Sequence, residues 1–134
     1  MRKVRGARPP RPTELELAIL QVLWRHGPGT VREVLHHFNE GRASEAGYTT
    51  VLKMLQIMSD KGLVTRDDTR RPQVYSARLS EGETQRQLVS DLLERAFGGS
   101  AKQLVMQALA AKETPDEELS RIEKFLDKLE GETE

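Results

Sequence analysis

The stretch from Gly47 to Gly62, GYTTVLKMLQIMSDKG, constrains the fold of this chain most strongly, because it reads at helical period. Its apolar residues recur at spacings of three and four, which predicts one stripe facing a core. That stripe consists of Tyr48, Val51, Leu52, Leu55 and Met58. The helix follows Gly47 without a side-chain cap, so we expect its first backbone N–H groups to be free to meet an anion.

The face opposite this stripe carries hydroxyl, amide and ammonium groups, with no carboxylate before Asp60. Its members are Thr49, Thr50, Lys53 and Gln56. Such groups can contact phosphates and base edges without like-charge repulsion. A helix that reads DNA and an ordinary core helix with a polar outer face both fit these residues, so the rest of the chain has to decide between them.

The composition describes a small chain without cysteine. With 134 residues, 37% of them apolar and 4% aromatic, it fits one or two small domains with modest cores. The absence of cysteine excludes disulfides and thiolate metal sites and suits the cytoplasm. No run approaches the roughly 18 apolar residues of a membrane span, so no direct membrane association is expected. Three histidines are too few to indicate a metal site, and no cofactor is expected.

The net charge of zero conceals an asymmetry along the chain. Residues 1–79 hold 14 Lys/Arg against 8 Asp/Glu, whereas residues 80–134 hold 7 against 13. A basic first part and an acidic second part indicate a polyanion-binding domain joined to a domain with another role.

The N-terminal segment reads as a basic arm followed by two helices. Residues 1–12 contain three prolines and no acid, which predicts a disordered arm that lies on DNA or is only a solvated tail. Capping boxes at 13–16 and 30–33 then predict helices over about 13–26 and 30–39. The turn at 26–29 ends the first of these helices. Its apolar face is predicted to consist of Leu15, Ala18, Ile19, Val22 and Leu23. His36 and His37 are adjacent in the second helix and point about 100° apart, so they cannot chelate a metal as an i, i+4 pair would. We expect them to be surface residues.

A hairpin follows the helix that ends at Gly62. Residues 63–66 and 74–77 read as two short strands, with Arg70 and Arg71 near the tip between them. Three helices and then a basic hairpin are the order of a winged helix-turn-helix, here over residues 13–79. In that fold the two arginines are expected to contact the DNA backbone beside the third helix.

Three further capping boxes predict helices over about 81–97 and 101–112, and from Pro115 onward. The last helix carries an apolar seam of Leu119, Ile122, Phe125, Leu126 and Leu129. Three short amphipathic helices leave apolar faces uncovered, so residues 80–134 are predicted to form a helical dimerisation domain. Folding back onto the first domain is the alternative. The predicted fold class is mainly α with a small β-hairpin wing.

Several segments resemble the penicillinase-repressor (BlaI/MecI/CopY) family. They are Leu15–Trp24, Tyr48–Val51, Lys61–Val64, the wing ending at Tyr75, and Gly98–Ser100 leading to Leu104 and Val105. The resemblance implies a homodimeric repressor that places its third helix in the major groove of each half-site of a palindromic operator. In relatives that sense β-lactams, a membrane sensor metalloprotease leads to cleavage of the repressor in its dimerisation domain. The resemblance therefore implies that repression here is relieved by proteolysis, through a membrane sensor metalloprotease or a downstream protease, or by another signal to the C-terminal domain.

Two departures from the family pattern matter. The copper-responsive branch carries a C-terminal cysteine cluster, which this chain lacks. The Asn-Phe cleavage pair of the best-known relatives is replaced by residues 105–109, VMQAL, so any cleavage here uses another sequence.

Other classes of function fit the sequence less well. No glycine-rich phosphate loop, nucleophile elbow or His-x-x-x-His motif is present, so no enzyme is expected. A winged-helix protein–protein interaction module that never binds DNA is the alternative function. An acidic residue in place of Lys53 would have favoured that alternative, and none is there.

Overall fold

The computed structural model describes residues 10–133 and is mainly α-helical, with one antiparallel hairpin. Most of the predicted basic arm, residues 1–9, lies outside the described residues. The fold class predicted from the sequence, a winged helix-turn-helix followed by three helices, is confirmed. Its elements in chain order are α1 (Glu14–His26), α2 (Val31–Asn39), α3 (Tyr48–Lys61), β1 (Val64–Asp67), β2 (Val74–Ala77), α4 (Glu81–Phe97), α5 (Ala101–Ala111) and α6 (Asp116–Thr133).

The chain divides into two compact units, and the division falls inside α4, between Arg86 and Gln87. The first unit holds α1, α2, α3, the hairpin and the start of α4. The second unit holds the rest of α4 with α5 and α6. The division predicted after residue 79 instead assigns all of α4 to the second domain.

Reciprocal capping boxes begin three of the helices where the sequence predicts them. The Thr13 N–H donates to Glu16 Oε1 (2.9 Å), and the Glu16 N–H donates to Thr13 Oγ1 (3.2 Å). The pairs Thr30–Glu33 and Ser80–Glu83 repeat this arrangement at α2 and α4. Each box satisfies two backbone donors that the first turn of a helix leaves without partners.

The other two predicted capping boxes, at α5 and α6, differ in detail. At α5 the Gln103 N–H donates to Ser100 Oγ (3.2 Å), as a capping serine requires. Helix α6 begins at Asp116 instead of the predicted Pro115. Pro115 contributes its carbonyl, which accepts from the Leu119 N–H at 3.0 Å.

The first unit encloses a hydrophobic core between α1, α2, α3 and the hairpin. The buried members of this core are Ile19, Leu20, Leu23, Val31, Val34, Phe38, Val51, Leu55, Met58, Leu63, Val64 and Tyr75. Trp24 packs against this core, and its Nε1–H donates to the Leu79 carbonyl at 3.0 Å. That bond satisfies the polar atom of a large side chain that is otherwise used for packing.

Two residues predicted to face the core are exposed instead. Tyr48, placed in the apolar stripe of α3, is 43% exposed, and the Arg32 guanidinium carbon lies 5.2 Å from its ring centroid. Leu15, placed on the core face of α1, is 47% exposed. Both lie in the first turn of their helix, so helical spacing alone does not show that the core ends before it reaches them.

The hairpin begins one residue later than predicted. Strand β1 pairs with β2 from Val64, opposite Ala77, to Asp67, opposite Val74. Leu63 lies in the turn that closes α3, since its N–H donates to the Met58 carbonyl at 2.9 Å. Gly62 makes this possible with a left-handed φ of 82°, as is common just after a helix.

The turn between α1 and α2 adds a third backbone segment to the hairpin. The Tyr75 N–H donates to the Gly29 carbonyl (2.8 Å), and the Gly29 N–H donates to the Tyr75 carbonyl (3.0 Å). The turn read from the sequence as a helix stop therefore also anchors β2. The wing is thus fixed to the helical part of the first unit by backbone bonds as well as by side-chain packing.

In the second unit, α5 and α6 pack against one another. Lys102 Nζ on α5 reaches Asp127 Oδ1 at 2.6 Å and Glu123 Oε2 at 3.6 Å, both on α6. Helix α5 has no buried residue. The apolar side chains of this unit are therefore only partly covered.

Candidate nucleic-acid interface

Helix α3 presents its polar face to solvent and buries the opposite one. Thr49, Thr50, Lys53 and Gln56, the residues predicted to contact DNA, are all exposed. On the other side, Val51, Leu55 and Met58 are each 0% exposed. Ile57, 44% exposed, is an apolar residue in the exposed part of the same helix. The buried row fixes the rotation of α3 about its axis, and so fixes which side chains meet a partner.

The beginning of α3 has the features of an anion-binding helix end. Gly47 is its N-cap and makes no side-chain hydrogen bond, and the first turn carries no acidic residue. The uncapped N–H groups and the positive end of the helix dipole both favour a phosphate there. The predicted absence of a side-chain cap is therefore confirmed.

The loop before α3 is held by a side chain that sequence reasoning missed. Asn39 at the end of α2 donates from Nδ2 to the Ala46 carbonyl and accepts from the Ala46 N–H at Oδ1, both at 2.9 Å. These paired bonds close the segment between α2 and α3 and place the start of α3. The sequence signal was an amide residue at the end of a helix, which is too common to single out.

A partly buried ion pair holds the other end of α3 to the start of α1. Lys61 Nζ lies 2.7 Å from Glu16 Oε2, and the Glu16 side chain is 7% exposed. Burial acts to raise the pKa of Glu16, but the hydrogen bonds from Lys61 and Thr13 and the Lys61 charge together lower that pKa. Glu16 therefore stays ionised, and it both caps α1 and positions α3.

The two wing arginines, Arg70 and Arg71, are both exposed but make different contacts. Arg71 Nη1 donates to the Asp68 carbonyl at 2.8 Å, so part of its guanidinium supports the loop. Arg70 contributes charge close enough to Glu33 on α2 to help lower the pKa of that carboxyl, after the larger effect of the Thr30 hydrogen bonds. Arg66 pairs with Asp68 at 2.7 Å. The wing tip is thus internally braced, with Arg70 and Arg71 at its surface.

Two further arginines are held by cation–π contacts. Arg32 on α2 is exposed and lies over the Tyr48 ring, which keeps its charge beside the first turn of α3. Arg42, in the loop after α2, lies over the Phe38 ring of α2, with its guanidinium carbon 4.4 Å from the centroid. The position of Arg32 depends on how α2 packs against α3, which no sequence spacing reveals.

The predicted dimer seam on α6 has two kinds of side chain. Leu119, Ile122 and Leu126 are half-buried, whereas Phe125 is 59% and Leu129 41% exposed. In α4, Val89 and Leu92 are each 48% exposed. The apolar surface of the second unit therefore includes α4 residues as well as the predicted ones on α6.

Comparison with known families agrees with this geometry. The family described as penicillinase repressor matches residues 12–128. The chain belongs to the penicillinase repressor family. Members of the penicillinase repressor family are DNA-binding transcriptional repressors with a winged-helix fold, and are regulators and not enzymes. Among curated proteins, none matches the chain significantly.

Within residues 10–133, none of the helices combines the length and the apolar character that crossing a bilayer requires. The longest helix there, α6, carries charged residues through most of its turns.

Proposed function

We propose that this chain represses transcription as a homodimer, with α3 of each subunit in the major groove of one half-site of a palindromic operator. The observation that carries this proposal is the exposed α3 face with no carboxylate before Asp60, held over a fully buried row. In this arrangement Thr49, Thr50 and Gln56 contact bases, while Lys53, Arg70 and Arg71 contact phosphates. Phosphate contacts supply most of the affinity, and base contacts supply the sequence preference.

The second unit supplies the dimer contact in this proposal. Phe125 and Leu129 on α6 and Val89 and Leu92 on α4 are exposed apolar residues that a second copy can cover. Symmetric dimers are the commonest soluble assemblies. Two tethered half-site contacts bind more tightly than one by effective concentration, on the order of 10²–10⁴-fold.

Relief of repression is proposed to act on the second unit. A cut near Gln107, an exposed residue of α5, would separate α6 from the rest of the chain and dissolve the dimer. The family resemblance makes a membrane sensor metalloprotease a candidate upstream partner, with the repressor itself in the cytoplasm. Because the Asn-Phe pair is absent, the cleaved bond differs from that of the best-known relatives.

The test is selection of bound DNA from a random duplex library by the full chain. We expect enrichment of an inverted repeat whose half-sites lie about one helical turn apart, or a multiple of that distance. Sedimentation of the complex should give two chains for each enriched duplex. No enrichment over input DNA would instead favour the alternative, a winged-helix module that binds protein.

A further inference from the structure

Three metal-ligating side chains meet where α1 and α2 end, outside the proposed DNA-contacting face. His26 is the last residue of α1, His37 lies in the last turn of α2, and Glu40 is the C-cap of α2. The two imidazole rings stack, with centroids 3.5 Å apart and planes 8° apart. His37 Nδ1 lies 3.0 Å from Glu40 Oε1. One ligand atom from each of the three residues lies within 4.8 Å of the other two.

One of these separations, 3.0 Å between His37 Nδ1 and Glu40 Oε1, is close to that of a tetrahedral metal site, and the others lie within 4.8 Å. Zinc–nitrogen and zinc–oxygen bonds of about 2.0–2.2 Å place neighbouring ligand atoms roughly 3.3 Å apart. Stacked rings hold their in-plane nitrogen lone pairs in nearly parallel planes, so binding one ion with both rings requires a rotation of the side chains. His26 and Glu40 are exposed and can rotate without disturbing the core. Two imidazoles and one carboxylate leave the fourth position to water, as in zinc sites with three protein ligands.

The electrostatic surroundings also favour a cation. The cluster lies at the C-terminal ends of two helices, where the helix dipoles are negative. The Glu40 carboxylate lies 3.0 Å from His37 Nδ1 and supplies an anionic oxygen ligand for a divalent cation. The adjoining surface groove carries Arg25 and Glu81, one charge of each sign, which oppose each other in their effect on an ion.

We propose that His26, His37 and Glu40 bind one divalent transition-metal ion of the zinc type per chain. Imidazole ligands suit zinc, copper and nickel, whereas magnesium prefers an all-oxygen site. The ion joins the end of α1 to the end of α2. Helix α1 leads directly into the turn whose Gly29 pairs with Tyr75 of the wing. The site is independent of the proposed function, since the α3 polar face provides none of its ligands.

The sequence did not indicate this site, because the adjacent pair His36 and His37 cannot chelate together. In the folded chain His37 lies next to His26, which is on another helix. The ring of His36 contacts that of His37 edge-on, with 5.1 Å between the centroids. His36 therefore provides a matched control, being a neighbouring histidine outside the ligand set.

The experiment is calorimetric titration of the untagged, chelator-treated full chain with ZnCl2 and, separately, MgCl2. We expect one saturable zinc site per chain, no magnesium site, and a rise in melting temperature with zinc. His26→Gln, His37→Gln and Glu40→Gln should each weaken zinc binding at least tenfold, and His36→Gln should not. Far-UV circular dichroism without zinc verifies that every variant is folded.

Cobalt provides a second measurement that needs no variant. Four-coordinate Co²⁺ absorbs strongly in the visible region, whereas octahedral Co²⁺ absorbs weakly, so a strong band on the wild-type chain supports the site. The proposal is overturned if zinc does not saturate a single site. It is also overturned if His36→Gln weakens binding as much as His26→Gln, or if bound cobalt gives only the weak octahedral spectrum.

Discussion

The two units of this chain bury their apolar side chains to very different extents. All the buried hydrophobic residues of the core lie between Ile19 and Tyr75, in the first unit. Between Gln87 and Gly131, by contrast, no hydrophobic residue is buried. The helical spacing of apolar residues is equally clear in both regions. This spacing predicts that a helix has an apolar side, but it does not predict what covers that side.

The difference indicates which unit can cover its apolar side chains without a second copy of the chain. The first unit closes its core with three helices and a hairpin. Its exposed polar groups on α3 and the wing are the ones proposed to contact DNA. The second unit leaves Phe125 on α6 and Leu92 on α4 exposed. Leu15, Tyr48 and Ile57 are also exposed in the first unit, but that unit has a closed core. In the described part of the second unit the exposed apolar side chains have no buried core beneath them, which is typical of an interaction surface. The comparison therefore supports the proposal that the first unit recognises DNA and the second unit forms the dimer.

The largest expected effect follows from placing a charge in the uncovered surface of the second unit. Phe125→Glu puts an unpaired carboxylate in the proposed dimer contact, where burying it is costly. We expect a monomer in sedimentation and a loss of operator affinity on the order of 10²–10⁴-fold. Ile122→Glu should act in the same direction, but it also disturbs α5–α6 packing because Ile122 is half-buried.

Lys124→Glu is the matched control, since it adds the same side chain at an exposed α6 position next to Phe125. It should remain dimeric. The chain has one tryptophan, Trp24, and it lies in the first unit, so its fluorescence reports the unfolding of that unit. Phe125→Glu should leave this transition unchanged. If Phe125→Glu is still a dimer at micromolar concentration, the interface does not include Phe125 and lies elsewhere on the second unit or on the first unit.

The next effect concerns sequence preference and belongs to the first unit. Thr50 is exposed in the first turn of α3, where a helix entering the major groove contacts base edges. Thr50→Ala should reduce discrimination at one operator position by about 1–3 kcal/mol, measured across a library of operator variants. Thr65→Ala, an exposed threonine on β1, is the control. An unchanged preference profile for Thr50→Ala would remove Thr50 from the set that contacts bases.

The fold followed from the sequence because its signals are local. Capping boxes at Thr13, Thr30 and Ser80 placed helix starts, and Gly62 placed the end of α3 and with it the start of the wing. The errors at Tyr48 and Leu15 occur where helical periodicity continues beyond the edge of the core. How far a core extends depends on which elements pack together, and spacing within one helix does not contain that information.

In the candidate site, too, local features were predictable from the sequence, and contacts between distant residues were not. The exposed face of α3 was predictable, because one helix determines both its buried and its exposed rows. The supporting contacts were not, since they join residues that are distant in sequence. Examples are the Lys61–Glu16 pair, the Asn39–Ala46 bonds and the position of Arg32 over Tyr48. The contacts to DNA and between subunits remain predictions.

A third prediction tests whether the first unit is stabilised from within. The pKa of Glu16 lies below its ordinary value of 4.5, so its ionised form stabilises the folded state above that pH. This contribution is lost as the pH falls through the lowered pKa. Glu16→Gln should reduce the free energy of unfolding by about 1–3 kcal/mol at neutral pH and by less in acid. Glu33→Gln, in the exposed box of α2, is the control.

The measurement is denaturant unfolding followed by Trp24 fluorescence at neutral pH and at about pH 3. The difference between wild type and Glu16→Gln should narrow in acid, because Glu16 loses its charge as the pH falls through its lowered pKa. Equal differences at the two pH values would mean that the Lys61–Glu16 pair does not stabilise the first unit through charge. The oligomeric state should be the same for both proteins, since the substitution lies outside the second unit.

The smallest expected effect is on the salt dependence of DNA affinity, and it tests which unit supplies the charges that contact phosphates. Replacing a lysine that contacts a phosphate flattens the slope of log K against log salt by about 0.9 per contact, hence about 1.8 for a dimer. Lys53→Ala and Arg70→Ala should show this change, whereas Lys112→Ala, an exposed lysine of the second unit, should not. Arg71→Ala should also loosen the wing, because Arg71 donates to the Asp68 carbonyl. If Lys53→Ala leaves both affinity and slope unchanged while Lys112→Ala alters them, DNA lies on the second unit and the proposed division of roles is reversed.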